Sequence, residues 1–439
     1  MKETGVSGLP TCAASLAFSH PFFFPLDPFH LFYENCMPHL WDLWATVRET
    51  SEIIYMGPDM ASELGAEVEK AMATLPSSFC GPIRDPWKKR QSQYKIYEWM
   101  ALLHWYIVPI AFELGFNQEV VKNFAIFSNV VEYAMTTVPR TQEDLGKLYE
   151  KIVNFLEGFE SLYVGEDPSK ITRCRLCIFQ LIFIPYHISY HGSIRFGSQA
   201  TCERAIGDIG HGIRSKKSPF KNISSYKADK QAARLLHLAY PVLSLVSEIK
   251  VQKPGLFKEV PMTQKQRRED DDLKAQIKTI QSHPKVGSDP TLQITRWGKC
   301  SLPNNVTLTS QLFELSKKST SHTSRYFEAQ PKEGLQLYES DDVTEVEVEN
   351  IRPIFGEALA FYTVGTDLSL VVYRSLIERR KLFGRWQGKW APTLYVLETS
   401  AIVGLIGIWT YKNNVHILRK HPGLTLLTLE ESGKDSEDP

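Results

Sequence analysis

From about residue 30 to residue 245, apolar positions recur every three or four residues, the period of helices that bury one face. "MASELGAEVEKAMATL" (60–75) has this spacing, and Pro76 ends it. "YKIYEWMALLHWYIVPIAFEL" (94–114) is aromatic and apolar nearly all round and reads as a core helix, bent or broken before Pro109. "VVKNFAIFSNVVEYAMTT" (120–137) is another helix. "TQEDLGKLYEKIVNFLEGFESLY" (141–163) opens with Thr141 as its cap and acids in its first turn. "CRLCIFQLIFIPYHISYHG" (174–192) is apolar and expected to be buried. "QATCERAIGDIGHGI" and "ISSYKADKQAARLLHLAYPVL" complete the helical part.

After residue 290 the pattern shifts to short apolar and β-branched runs punctuated by glycine and Asn/Asp clusters: "TLQITRW", "NNVTLTS", "TEVEVENIRPIFGEALAFYTV", "LSLVVYRSL", "APTLYVLE", "SAIVGLIGIW" and "NVHILRK". They predict a small, mostly β domain, a barrel or a sandwich. "LYVLETSAIVGLIGIWTY" (394–411) just reaches membrane-spanning length. Its glycines, its β-branched residues, Glu398 and the polar "KNNVHILRK" that follows read instead as a hairpin with Asn413-Asn414 near the turn, so no membrane partner is expected. Residues 246–290 are charged and poor in aromatics, as in a linker with a short solvated helix. Residues 1–20 and the acidic tail 426–439 are expected to be disordered. The fold class expected is α+β: a helical region over 21–245, then a β-rich domain over 291–425.

The fifty basic and fifty acidic residues balance, so any attraction for nucleic acid must come from a local patch. The seven cysteines (12, 36, 80, 174, 177, 202 and 300) are odd in number and irregular in spacing, which suits a reducing compartment, nuclear or cytoplasmic, rather than secretion. Cys174 and Cys177 form a C-x-x-C with no second pair at zinc-finger spacing. The N-terminus has no basic start and no clean apolar core of a signal peptide. There is no Walker loop, dinucleotide-binding glycine fingerprint, H-E-x-x-H or nucleophile elbow, and no internal repeat.

Two clusters carry candidate chemistry. Asp27 and His30, followed by Glu34 and Asn35, lie one helical turn apart and can face one point, which suits a metal or a phosphate. It suits a helix N-cap equally. In "TCERAIGDIGHGIRSKKSPFKNI" (201–223), Glu203-Arg204 on a helix is followed by Arg214, Lys216, Lys217 and Lys221. A carboxylate near a basic run fits metal-dependent chemistry on a polyanion. The plainer alternative is a surface ion pair and a solvated loop.

The order of these clusters resembles the C-terminal part of CACTA (En/Spm)-type DNA transposases and transposase-derived proteins. "FPLDPFHLFYENCMPHLWDLW" is similar to the family's D-x-x-H segment, "LGAEVEKAMATLPSSF" to the helix after it, and "GSIRFGSQATCERAIGDIGHGIRSKKSPFKNI" to its "ER…IRS" region. The resemblance covers about residues 21–425. It implies an RNase H-like core in which a DDE triad of carboxylates binds two Mg²⁺ and cuts DNA. Asp27 and His30 match the D-x-x-H, and Glu203 matches the third acid. The other two aspartates lie upstream of the D-x-x-H in the family, and the 26 residues before Asp27 contain no Asp. The family's histidines are Phe179 and Phe183 here, and its Gly-Pro is Gly192-Ser193.

The resemblance therefore implies a transposase-derived protein, a helical remnant and insertion of an RNase H-like core followed by a β domain. It is expected to lack the first two catalytic acids, to be non-catalytic with no cofactor, and to hold Glu203 as a relic. Its candidate partners are DNA, through Arg214, Lys216, Lys217 and Lys221, and other proteins, through the β domain. The alternatives are an active transposase whose upstream half is missing from the sequence, and an unrelated helical scaffold.

Overall fold

The computed structural model describes residues 14–16, 18, 24–47, 49–89, 94–211, 217–240, 257–258, 273–286, 294–302, 306–315, 322–330, 353–365 and 368–420. The expected disordered segments 1–20 and 426–439 lie almost wholly outside them. The fold is α+β, with helices in the N-terminal region and a β-rich C-terminal domain. The chain forms two compact units that do not follow chain order: residues 1–58 with 116–223, and residues 59–115 with 224–439.

The first unit is all helical among its described residues. The π-helical turn Phe29–Cys36 runs into the helix Met37–Thr46, which packs with the helices Gln118–Ala134 and Gln142–Phe159 and with the shorter helices of 168–211. Aromatic side chains fill its centre. Phe159 stacks on Tyr163 with ring centroids 4.3 Å apart, Phe127 on Phe155 at 5.2 Å, and Trp44 meets Phe124 edge-on at 5.2 Å. Such pairs add about 0.5–1.5 kcal/mol each beyond burial. Trp44 donates to the Tyr163 hydroxyl at 2.7 Å, so its buried indole nitrogen keeps a partner. Asn123 donates to the Phe155 carbonyl at 3.0 Å, and Gly158 is required there: a Cβ would lie 2.4 Å from the Asn123 amide nitrogen.

The Thr141 cap forms as the sequence implies. Its hydroxyl accepts from Asp144 N at 3.1 Å, and the Asp144 carboxylate accepts from Thr141 N at 2.9 Å. One expectation for this unit is corrected. Segment 174–192 buries Ile178, Leu181, Ile184 and Ile188 but exposes Leu176, Phe179, Phe183, Tyr186 and Tyr190. It is apolar on both faces, and only one face is covered.

In the second unit a β-barrel packs with helices drawn from 59–115. Its strands are β1 (Phe257–Lys258), β2 (Ile294–Trp297), β3 (Lys299–Ser301), β4 (Thr307–Thr309), β5 (Tyr326–Ala329), β6 (Ile354–Val364), β7 (Leu368–Leu382), β8 (Arg385–Trp390), β9 (Tyr395–Glu398), β10 (Ile402–Tyr411) and β11 (Asn414–Arg419). The antiparallel pairings β5–β6, β6–β7, β7–β8, β8–β11, β11–β10 and β10–β5 close a six-stranded ring. β2 adds to β6 and β9 to β7, while β1, β3 and β4 form a separate small sheet. The segment 394–411 is β9 and β10, and the hairpin predicted after it turns at Lys412-Asn413, with Lys412 at φ 52°. No described helix is long and apolar enough to cross a membrane.

A bulge on β7 places Glu378 at φ 50° and bends the strand. Gly356 sits where two barrel rings converge: a Cβ would lie 2.5 Å from Phe327 and 2.7 Å from Tyr373.

The short helix expected in the linker is not solvated. Leu273–Gln281 lays Ile280 and the nearby Val286 against Ala360, Tyr362, Leu370 and Val372, and buried Gln276 accepts from the Tyr362 hydroxyl at 2.6 Å. Sparse but correctly spaced apolar residues suffice for one buried face.

The helices of 59–115 cover strands β10 and β11. Trp409 donates to Glu67 at 3.0 Å, and Asn414 donates to Glu113 at 2.9 Å. His416 Nε2 lies 2.9 Å from the same Glu113 oxygen, and Trp105 donates to the Arg419 carbonyl at 2.9 Å. The break expected before Pro109 is a π-helical stretch, Leu102–Tyr106, that leads into the helix Ile107–Glu113. Widening the turn ahead of the proline accommodates the missing amide without ending the helix.

Candidate functional site

The D-x-x-H segment is held by the carboxylate of Asp27. Its Oδ1 accepts from Phe29 N at 3.0 Å, the cap of the turn that follows, and from Gln199 N at 3.1 Å. Its Oδ2 pairs with His30 Nδ1. His30 Nε2 lies 3.3 Å from the Glu34 carboxylate, and Asn35 donates to the His30 carbonyl at 2.8 Å. Gln199 immediately precedes the helix Ala200–His211, and its carbonyl accepts from Glu203 N at 2.9 Å. Gly197 permits this approach, because a Cβ there would lie 2.8 Å from the Leu26 carbonyl oxygen.

Asp27 therefore joins the D-x-x-H turn to the start of the helix that carries Glu203. The hydrogen bond that the His30 ring donates to Asp27 is the largest cause that raises His30 above its ordinary pKa. Burial opposes it, and the charges of Asp27, Glu34 and Glu203 add to it. Glu203 itself is exposed.

The site residues proposed from sequence fall into two groups. Asp27, His30 and Glu34 touch one another in a row, and the exposed Glu203 lies near enough for its charge to act on His30. In the basic run, Lys217 and Lys221 are exposed, Lys221 in the first turn of the helix Pro219–Ala239. Arg214 and Lys216 lie outside the described residues.

Among the described residues, no group of three or more His, Cys, Asp or Glu side chains is arranged to hold a metal ion. Both oxygens of Asp27 are already engaged, one by two backbone amides and one by an imidazole, which suits a carboxylate that fixes a turn rather than one that ligates.

Sequence spacing also missed a thiol neighbourhood. Cys36 Sγ donates to the Cys177 carbonyl at 3.5 Å, and the Cys36 thiol is the main cause that lowers Cys177 to about 7. Cys174, the other half of the C-x-x-C, is exposed. Close by in sequence, His39 Nε2 lies 2.7 Å from the Arg173 carbonyl, and the Arg173 guanidinium donates to Glu52 at 2.9 Å and to the Tyr163 carbonyl at 2.9 Å. Arg173 holds the Glu52 carboxyl below its usual range. In the barrel unit, a cavity of about 260 Å³ is lined by His283, Ile354, Tyr373, Tyr395, Leu397 and Glu398.

Comparison with protein-family models, curated proteins and solved structures finds no match to this chain.

Proposed function

We propose that this is a transposase-derived protein of the CACTA (En/Spm) type that binds nucleic acid and does not cut it. The observation that carries the reading is the bond from Gln199 N to Asp27. It ties the D-x-x-H turn to the helix bearing Glu203, two motifs 172 residues apart that the family resemblance matches separately. The family reading expects these residues in one place.

Cutting a phosphodiester with paired metals requires several converging carboxylates. Here Asp27 serves as a strut and Glu203 stands exposed. Binding falls to the basic run of 214–221, whose cations neutralise phosphates.

Two measurements on the full chain test this. Anisotropy titrations with duplex DNA at several salt concentrations should show binding that weakens with salt. Replacing Lys216, Lys217 and Lys221 with Ala should weaken it further and flatten the salt slope by up to about three units, near 0.9 per lost phosphate contact. Unchanged binding removes the basic run from the reading. Supercoiled plasmid incubated with Mg²⁺ should stay intact, whereas nicking that Glu203→Gln abolishes would make the protein an active enzyme.

A further inference from the structure

The cavity of about 260 Å³ in the barrel unit lies between strand β9 and the end of the helix Leu273–Gln281. Its lining includes five consecutive residues, Leu394, Tyr395, Val396, Leu397 and Glu398. Neighbours along a strand point to opposite faces. Leu394 and Val396 pack into the core around Ile280 and Tyr362, whereas Tyr395 and Leu397 pack into the core around Phe327 and Val371. A cavity that touches all five therefore runs along the edge of the strand and not over one face.

That edge is open. β9 is the last strand of its sheet and pairs with β7 on one side. Among the described residues, no backbone bond closes the other side of Tyr395, Val396 and Leu397. Alternate residues of an antiparallel strand turn both their N–H and their C=O to the same side. At least one of these three residues therefore offers a donor and an acceptor to the cavity. An open edge is a template for a group that returns an acceptor and a donor, and an amide or a lactam does so with two neighbouring polar atoms.

The opposite wall supplies a second donor. His283 lines the cavity and is only 7% exposed. Its Nδ1 accepts from Lys285 N at 3.3 Å, which places the proton on Nε2, and among the described residues nothing accepts that proton. Burial lowers its pKa and favours the neutral ring. A buried donor left unpaired is costly, so an acceptor on a ligand gains by meeting it.

The remaining walls set charge and size. Glu398 is paired with Lys285, so a charged ligand would bring an unpaired charge against an already neutral lining. Tyr373 and Tyr395, with ring centroids 5.9 Å apart, give a flat aromatic side beside Ile354 and Leu397. The volume lies just under the range of about 300–1,000 Å³ that drug-sized ligands fill, which suits one ring or two fused rings.

We propose that the barrel unit binds a small uncharged aromatic amide or lactam in this cavity, held by the open edge of β9 and by His283.

The test is calorimetric titration of the full chain with isoquinolinone, a fused-ring lactam. Saturable one-to-one binding is expected. N-methylisoquinolinone, which lacks the N–H, and naphthoate, which carries a charge, should each bind at least about tenfold more weakly. Ser282 lines the cavity from an exposed position, so Ser282→Trp should abolish binding and leave the melting temperature unchanged. His283→Phe keeps a ring of similar size without the donor and should weaken binding at least about tenfold. Circular dichroism establishes that this variant is folded; if it is not, the comparison of wild type with Ser282→Trp decides. No saturable binding of isoquinolinone overturns the proposal. So does binding that Ser282→Trp leaves intact, and so does equal affinity for the three compounds.

Discussion

At the scale of single residues, the Asp27–His30 contact makes a prediction with a definite sign. The folded chain raises the His30 pKa above its ordinary value of 6.5. A raised pKa means the contact contributes its full stability below 6.5 and loses it as pH rises through the folded value. His30 is one-third exposed, so solvent screening keeps the effect small. Histidine ring shifts followed against pH by NMR should place His30 above 6.5 in the wild type and back towards 6.5 in Asp27→Asn. Chemical denaturation should show the wild type losing more stability than that variant from pH 6 to pH 8. Equal losses would mean the pair is not coupled.

The pair itself was legible because residues one turn apart must share a face. Its third partner was not. The Gln199 amide is a backbone group 172 positions away, and no pattern of side chains marks it. The Cys36–Cys177 neighbourhood was hidden for the same reason: sequence spacing ties Cys177 to Cys174, while the fold ties it to Cys36.

Elements that the chain can form from local signals match their prediction closely. Thr141 with Asp144 starts the helix Gln142–Phe159, and Thr141→Ala should destabilise the first unit by about 1 kcal/mol, seen as a lower urea midpoint. An unchanged midpoint would mean that packing alone fixes that end. Elements that rest on tertiary contact were harder to read. β8, "RWQGKW", is polar and short and carries no strand signal of its own. It is a strand because β7 and β11 flank it, and Gly388 lets the Ile377 carbonyl approach to 2.5 Å of where a Cβ would be. The helix Leu273–Gln281 sits in a charged stretch, and its small apolar face shows only once the barrel wall is there to receive it. For 174–192 the period was clear, but periodicity reports that residues are apolar and not which side is covered.

For the whole molecule, the boundary suggested by composition, near residues 246–290, differs from the division into compact units. Residues 59–115 belong with the barrel. A fragment of residues 246–439 therefore lacks Glu67, Trp105 and Glu113, which bond to β10 and β11 and their ends, and leaves buried Trp409 and His416 uncovered. It should be insoluble or melt well below the full chain, and supplying residues 59–115 on a second polypeptide should restore solubility and the melting temperature. A cooperative, soluble fragment on its own would show that the helices are dispensable.

The same linkage has a consequence during synthesis. Glu113 leaves the ribosome 303 residues before His416, the group it binds. At about 5–20 residues per second, the nascent helices that carry Trp105 and Glu113 wait roughly 15–60 seconds for the strands they bond to. Over that interval their apolar surfaces are open to chaperones, and a chaperone-depleted cell should accumulate this protein in aggregates that form before translation ends.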